Sequence, residues 1–167
     1  MESPVNGGRG SQPSEESVVP SDAAGCTLEQ YSEHMNLKPK ELRDFGLGDI
    51  PNYDGAKAVR MPYYTADGEE NQTATRFRRS LTGNQKVRLK SGGKVTLYGL
   101  NRLNEAREKG HVVLAEDESD CHILWHYGIP AVGLAGANSW REDRDAHHFD
   151  GVGEIYVLIG RDERGLE

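Results

Sequence analysis

The chain has 167 residues, 35% of them apolar and 28% charged, with a formal net charge of −7. That length suits one domain plus a tail, and the modest apolar share limits the core it can bury. The acidic balance argues against a generally basic nucleic-acid binder. No apolar run approaches the roughly 18 residues of a membrane span, and the opening MESPVNGGRG lacks the apolar segment of a secretory signal. A soluble cytoplasmic protein without a membrane partner is the expectation.

Residues 1–24 are rich in Ser, Gly, Pro and Glu and cannot bury enough surface to offset the entropy of ordering, so they are expected to be a disordered tail. Residues 25–50 read as a helical hairpin. Thr27 and Gln30 have the spacing of a capping box, Leu28, Tyr31 and Met35 form a stripe, and Pro39 suits the first turn of a second helix that stops at Gly46. From Gly55 the apolar period falls to two. Residues 58–64 are expected to be a strand, 66–69 a turn and 72–81 the returning strand, with further short strands at Lys86–Leu89 and Val95–Tyr98. This region, 55–100, is basic. Arg76, Arg78, Arg79, Lys86, Arg88, Lys90 and Lys94 fall within 76–94 and no acid does.

A helix over 100–108 then leads into His111–Asn138, where the apolar run Val112-Val113-Leu114-Ala115 stops at Glu116. A helical pattern follows, with Asp120 in its first turn, and then a second buried strand at Ile129–Leu134. Ser139 and Glu142 have capping-box spacing for a helix reaching about Phe149, and Glu154–Ile159 reads as a third buried strand ending near Asp162. Within the last region, 105–167, residues 111–162 thus alternate β-α-β-α-β, which implies a parallel sheet with right-handed crossovers. Acids at the carboxyl ends of parallel strands are either solvated caps or the edge of a site. If the first and third strands are neighbours, Glu116 and Asp162 can share a divalent metal, for which carboxylate oxygens are suitable ligands.

The segment V-V-L-A-E-D-E-S-D-C-H-I-L-W-H-Y-G-I-P-A-V-G-L-A-G-A-N resembles the first half of a TOPRIM domain of the kind found in bacterial, phage and plasmid DNA primases. That family has an apolar strand ending in Glu-Gly-x-x-Asp, a helix, and then G-I-P-A-V. Upstream, R-F-R-R, K-V-R-L-K and L-Y-G-L resemble the basic β-rich half of the primase polymerase core. The resemblance spans about residues 26–167. It implies an α/β chain: a partial TOPRIM-like parallel sheet with flanking helices, preceded by the basic β region and the helical hairpin.

The implied activity is metal-dependent, template-directed synthesis of RNA primers on single-stranded DNA. Its partners would be the template, nucleotides and a replicative helicase in the same or a separate chain. The resemblance assigns Glu116 and Asp120 as catalytic acids and Glu116 and Asp162 as ligands of Mg²⁺ or Mn²⁺. Arg76, Arg78, Arg79, Lys86, Arg88 and Lys90 are assigned to nucleic-acid phosphates.

The chain departs from the family in three ways. Asp117 replaces the glycine after the catalytic Glu, Gly160 replaces the first of the two acids of the second metal motif, and the family's fold continues where this chain stops. The last point leads to the expectation of a truncated fragment. Two further readings follow: a catalytically degenerate module that binds nucleic acid or a replication partner, and a TOPRIM nuclease or topoisomerase-like enzyme. No zinc is expected. Cys26 and Cys121 form no ligand framework, and His122 and His126 are read as helix-surface residues, since no third ligand stands at fixed spacing and the Glu of H-E-x-x-H is absent. Phe77 is either a core residue or a stacking platform for bases. Trp125 and Trp140 are read as packing residues.

Overall fold

The computed structural model describes residues 25–83 and 86–158. The expected tail, Gly160 and Asp162 lie outside them. α1 (Leu28–Met35) begins with the capping box: the Gln30 amide donates to Thr27 Oγ1 at 3.2 Å, and the Thr27 amide donates to Gln30 Oε1 at 2.9 Å. α2 (Pro39–Asp44) starts on its proline. Leu28, Tyr31, Leu37, Leu42 and Leu47 pack against Val59 and Met61, so the hairpin covers one face of the sheet that follows.

That sheet has four strands in sequence order, β1 (Gly48–Tyr53), β2 (Ala56–Met61), β3 (Arg76–Arg78) and β4 (Val87–Leu89), with neighbours antiparallel. The sequence reading missed β1, because Gly48, Asp49, Pro51 and Asn52 are poor strand formers. An edge position tolerates that proline, and Asp54-Gly55 closes a tight hairpin with φ of 52° and 83°, the primed turn that Asp-Gly favours. The strands expected over 58–64 and 72–81 are shorter, because residues 62–75 form a loop held by the Tyr64–Glu70 bridge.

Val95–Tyr98 is not a strand. It runs along the open edge of the second sheet and pairs there at one point, Tyr98 with Gly133. A 3₁₀ turn at Leu100–Arg102 then opens α3 (Leu103–Lys109).

The second sheet is parallel with order β6-β5-β7, formed by β5 (His111–Ala115), β6 (Ala131–Gly133) and β7 (Glu154–Val157). α4 (Glu118–His126) connects β5 to β6, and α5 (Glu142–Asp145), between two 3₁₀ turns, precedes β7. The first and third strands of the β-α-β-α-β unit are therefore adjacent, as the metal argument requires. Two expectations fail here. Ser139 caps no helix; its hydroxyl accepts from the Ala135 amide at 2.9 Å, and α5 starts only at Glu142. β7 is also not buried: Ile155, Tyr156, Val157 and Leu158 are 43–60% exposed, because β7 forms the sheet edge and no described element covers it. No described helix is long and apolar enough to cross a membrane.

Candidate active site

β5 is the middle strand of the parallel sheet, and its apolar residues end at Glu116, which is half-buried. The next residue, Asp117, has extended backbone (φ −145°, ψ 177°) and caps α4, accepting from the amides of Ser119 at 2.8 Å and Asp120 at 3.2 Å. No left-handed angle is needed there, so an aspartate fits where the resembled family has glycine. Lys86 Nζ lies 3.0 Å from the Asp117 carboxylate. Burial pushes that carboxyl up, but the Lys86 ammonium and the two helix amides outweigh it, leaving Asp117 below the usual carboxylate range.

Two further contacts bind the first turn of α4 to the antiparallel sheet. Glu118, 2% exposed, pairs with Arg76 at 3.2 Å and accepts from the Tyr63 hydroxyl. Ser119 Oγ accepts from Arg78. Arg78 is 1% exposed, also donates to the carbonyls of Ser80 and Leu81, and lies 4.5 Å from the centre of the Tyr31 ring. It has no carboxylate partner among the described residues.

The expected nucleic-acid cations therefore divide. Arg76 and Arg78 do share one face of β3, as the alternation predicts, but that face points inward. Together with Lys86 they hold the acidic turn. This corrects the assignment of Arg78 to a phosphate track, since a guanidinium closed off from solvent cannot meet a phosphate. Arg88 and Lys90 are exposed, and Arg79 reaches the Asp54 carbonyl at 3.3 Å. Phe77 stands on the outward face opposite Arg60 and Arg88, stacked on Tyr53 with centroids 4.1 Å apart.

Glu116 and Asp120 are the acids near this turn that no described basic side chain neutralises directly. Burial first, and then the charges of Asp117 and Glu116, hold the Asp120 carboxyl above its usual value. Among the described residues no group of three or more His, Cys, Asp or Glu side chains is placed to hold a metal ion.

His122 departs from its expected surface position. It is fully buried, with Nδ1 2.8 Å from the Tyr31 hydroxyl and Nε2 2.9 Å from the Tyr98 hydroxyl. Burial, helped by the Arg78 charge, lowers its pKa to about 3, so the ring is neutral and links α1, α4 and the Tyr98 segment. Sequence reasoning also missed Glu118, the counter-charge of Arg76; the two stand 42 residues apart, so no local pattern joins them. Trp125 is packed as expected, its indole N–H donating to the Ala131 carbonyl at 3.0 Å. His126 is exposed and bonds Glu41 at 2.7 Å.

No protein-family model and no curated protein matches this sequence. Solved structures do. Over 82% of this chain the fold matches that of the Aquifex aeolicus primase, in a structure containing its zinc-binding and RNA polymerase domains, with a TM-score of 0.64 and 17% identity. Over 90% it matches the DnaG primase catalytic domain, solved bound to single-stranded DNA, with a TM-score of 0.63 and 17% identity. The chain spans 43% and 57% of those two chains, about half of their length. At that identity the likeness is one of fold: this is a mixed α/β chain with a helix-flanked parallel sheet, folded like part of a bacterial primase polymerase core.

Proposed function

We propose that this chain is the core of a primase-type nucleotidyltransferase of the TOPRIM class, joining ribonucleotides on a single-stranded DNA template in the replication of a phage, plasmid or other mobile element. The observation that carries this reading is the acid-ended central strand of the parallel sheet, with its first helical turn clamped by a basic antiparallel sheet, within a fold like that of primases. In the reaction a 3′-hydroxyl attacks the α-phosphorus of an incoming ribonucleoside triphosphate and pyrophosphate leaves. Mg²⁺ or Mn²⁺ held by Glu116, with Asp120 in support and Asp162 as a further ligand, would stabilise the attacking and leaving oxygens. The protein's own contribution is placement. Asp117 fixes the helix start, while Lys86, Arg76 and Arg78 fix the turn carrying Glu116 and Asp120 and neutralise the acids not needed for binding. Arg79, Arg88 and Lys90, near the Tyr53–Phe77 pair, would contact template phosphates without reading sequence.

A second reading, a module that binds single-stranded DNA without catalysis, is favoured by Gly160, which stands where the resembled family has the first acid of its second metal motif, and by the positive charge of Arg161 beside it. Incubation with a single-stranded template, ribonucleotides and Mg²⁺ or Mn²⁺ separates the two. RNA products that Glu116→Ala abolishes support the primase. Template binding without product supports the module, and cleaved template would refute both. Lys90→Ala should reduce the salt slope of template binding by about one unit.

A further inference from the structure

The far end of α4 from the acids borders a second feature, a cleft of about 120 Å³ whose lining includes Asp44, Phe45, Tyr64, Asn101, Arg102 and Trp125. Trp125 follows Asp120 by five residues on the helix, roughly 7.5 Å along its axis. Two glycines hold the walls in place. A Cβ on Gly99 (φ +83°) would lie 2.7 Å from the Trp125 ring, and one on Gly46 (φ +94°) would lie 2.8 Å from the Tyr64 hydroxyl oxygen.

The cation in this cleft is held by aromatic faces and by a single ion pair. The Arg102 guanidinium lies 4.2 Å from the Trp125 ring centre and 5.2 Å from that of Phe45, with its side chain 27% exposed. Among the described residues the guanidinium makes no hydrogen bond. It forms one ion pair, with Glu105 Oε2 at 3.6 Å, while the other oxygen of that carboxylate takes Lys109 at 2.8 Å. A guanidinium has five N–H donors in a planar fork suited to phosphate. Aromatic faces fix its plane and remove water from it without accepting its in-plane hydrogens. The N–H donors that no protein oxygen takes up are open to an incoming anion, whose charge-assisted hydrogen bonds are strong. Asn101 adds an exposed amide, and Asp44 is balanced by Lys40 at 2.7 Å. The volume holds about four waters at ~30 Å³ each, well below the ~300 Å³ at which ligand pockets begin. It therefore accepts a single phosphate-sized group.

We propose that this cleft is a phosphate-binding site, with the Arg102 fork as its principal ligand and the Asn101 amide and Tyr64 hydroxyl as flanking donors. The phosphate belongs either to a free ion or to a nucleic-acid backbone. The proposal does not depend on activity at Glu116.

The test uses the full chain carrying Trp140→Phe, which leaves Trp125, in contact with Arg102, as the only indole. Its fluorescence is titrated with inorganic phosphate and, separately, with a single-stranded oligonucleotide lacking terminal phosphates, both at fixed ionic strength set by chloride. A saturable change is expected that Arg102→Gln weakens at least tenfold. Asn101→Asp, at an exposed position that does not threaten folding, should weaken it comparably by placing a carboxylate in the cleft. Saturation by phosphate identifies a free ion, and saturation by the oligonucleotide alone identifies a backbone phosphate; either upholds the site. A response to neither ligand, or one that survives Asn101→Asp and Arg102→Gln unchanged, overturns it.

Discussion

Replacing His122 with Phe keeps a ring of similar shape in the core while removing both of its hydrogen-bonding atoms. The Tyr31 and Tyr98 hydroxyls, at 2.8 and 2.9 Å, then lose their imidazole partner. A buried polar group left unsatisfied costs about 1–3 kcal/mol, so the pair predicts a loss of about 2–6 kcal/mol at neutral pH. The pH dependence is more diagnostic. In the unfolded chain a histidine titrates near 6.5, whereas His122 in the fold titrates at about 3. Below pH 6.5 the unfolded state therefore takes up a proton that the folded state refuses. The wild type loses stability from this residue as pH falls from about 6.5 towards 3, and keeps all of it above 6.5. The slope approaches about 1.4 kcal/mol per pH unit, which amounts to roughly 2–3 kcal/mol by pH 4.5. His122→Phe has no such proton to gain. The stability gap between the two proteins should thus shrink by that amount between pH 7.5 and pH 4.5. Urea unfolding followed by tryptophan fluorescence at four pH values measures it. A gap that stays constant across the range would refute the account of His122 as a neutral buried bridge.

Three further outcomes are expected. Arg76→Ala leaves Glu118 buried without its cation and should cost about 3–5 kcal/mol; in a Glu118→Gln background the same change should cost much less, as a double-mutant cycle by chemical denaturation would show. Gly99→Ala combines a left-handed backbone with a Cβ only 2.7 Å from Trp125 and should lower stability by about 2–4 kcal/mol, read as a fall in Tm; an unchanged Tm would mean that the turn is not held as described. β7 and the residue after it expose four consecutive apolar side chains, Ile155 to Leu158, at a sheet edge, so this chain should self-associate at micromolar concentrations, and Val157→Lys should suppress that in sedimentation velocity.

The architecture was legible where patterns were local. Thr27 and Gln30 announced α1, and the apolar run that stops at Glu116 announced β5 and the helix after it. Each of these signals lies within a few residues and needs no partner. The role of the basic strands was not legible, because alternation in Arg76 and Arg78 gives a shared face but not which side is inside. A charged face is normally solvated, and only the acids and hydroxyl of α4, some forty residues on, turn this one inward. His122 was misread for the same reason: its partners Tyr31 and Tyr98 belong to elements far apart in sequence. Asp54-Gly55 was a missed local signal, an Asp-Gly pair that marks a hairpin whatever the quality of the strand before it.

The three side chains that reach from the antiparallel sheet to Asp117, Glu118 and Ser119 also bear on how the protein breathes. Local opening normally proceeds in contiguous units, and loops at functional sites are among the first to open. Here the turn bearing Glu116 and Asp120 cannot loosen alone, since releasing it strands a buried arginine and a buried glutamate together. Amides of β3 and of the first turn of α4 should therefore exchange with solvent in a single event, with a protection close to that of the core. The acids are thus held in one arrangement before any ligand arrives.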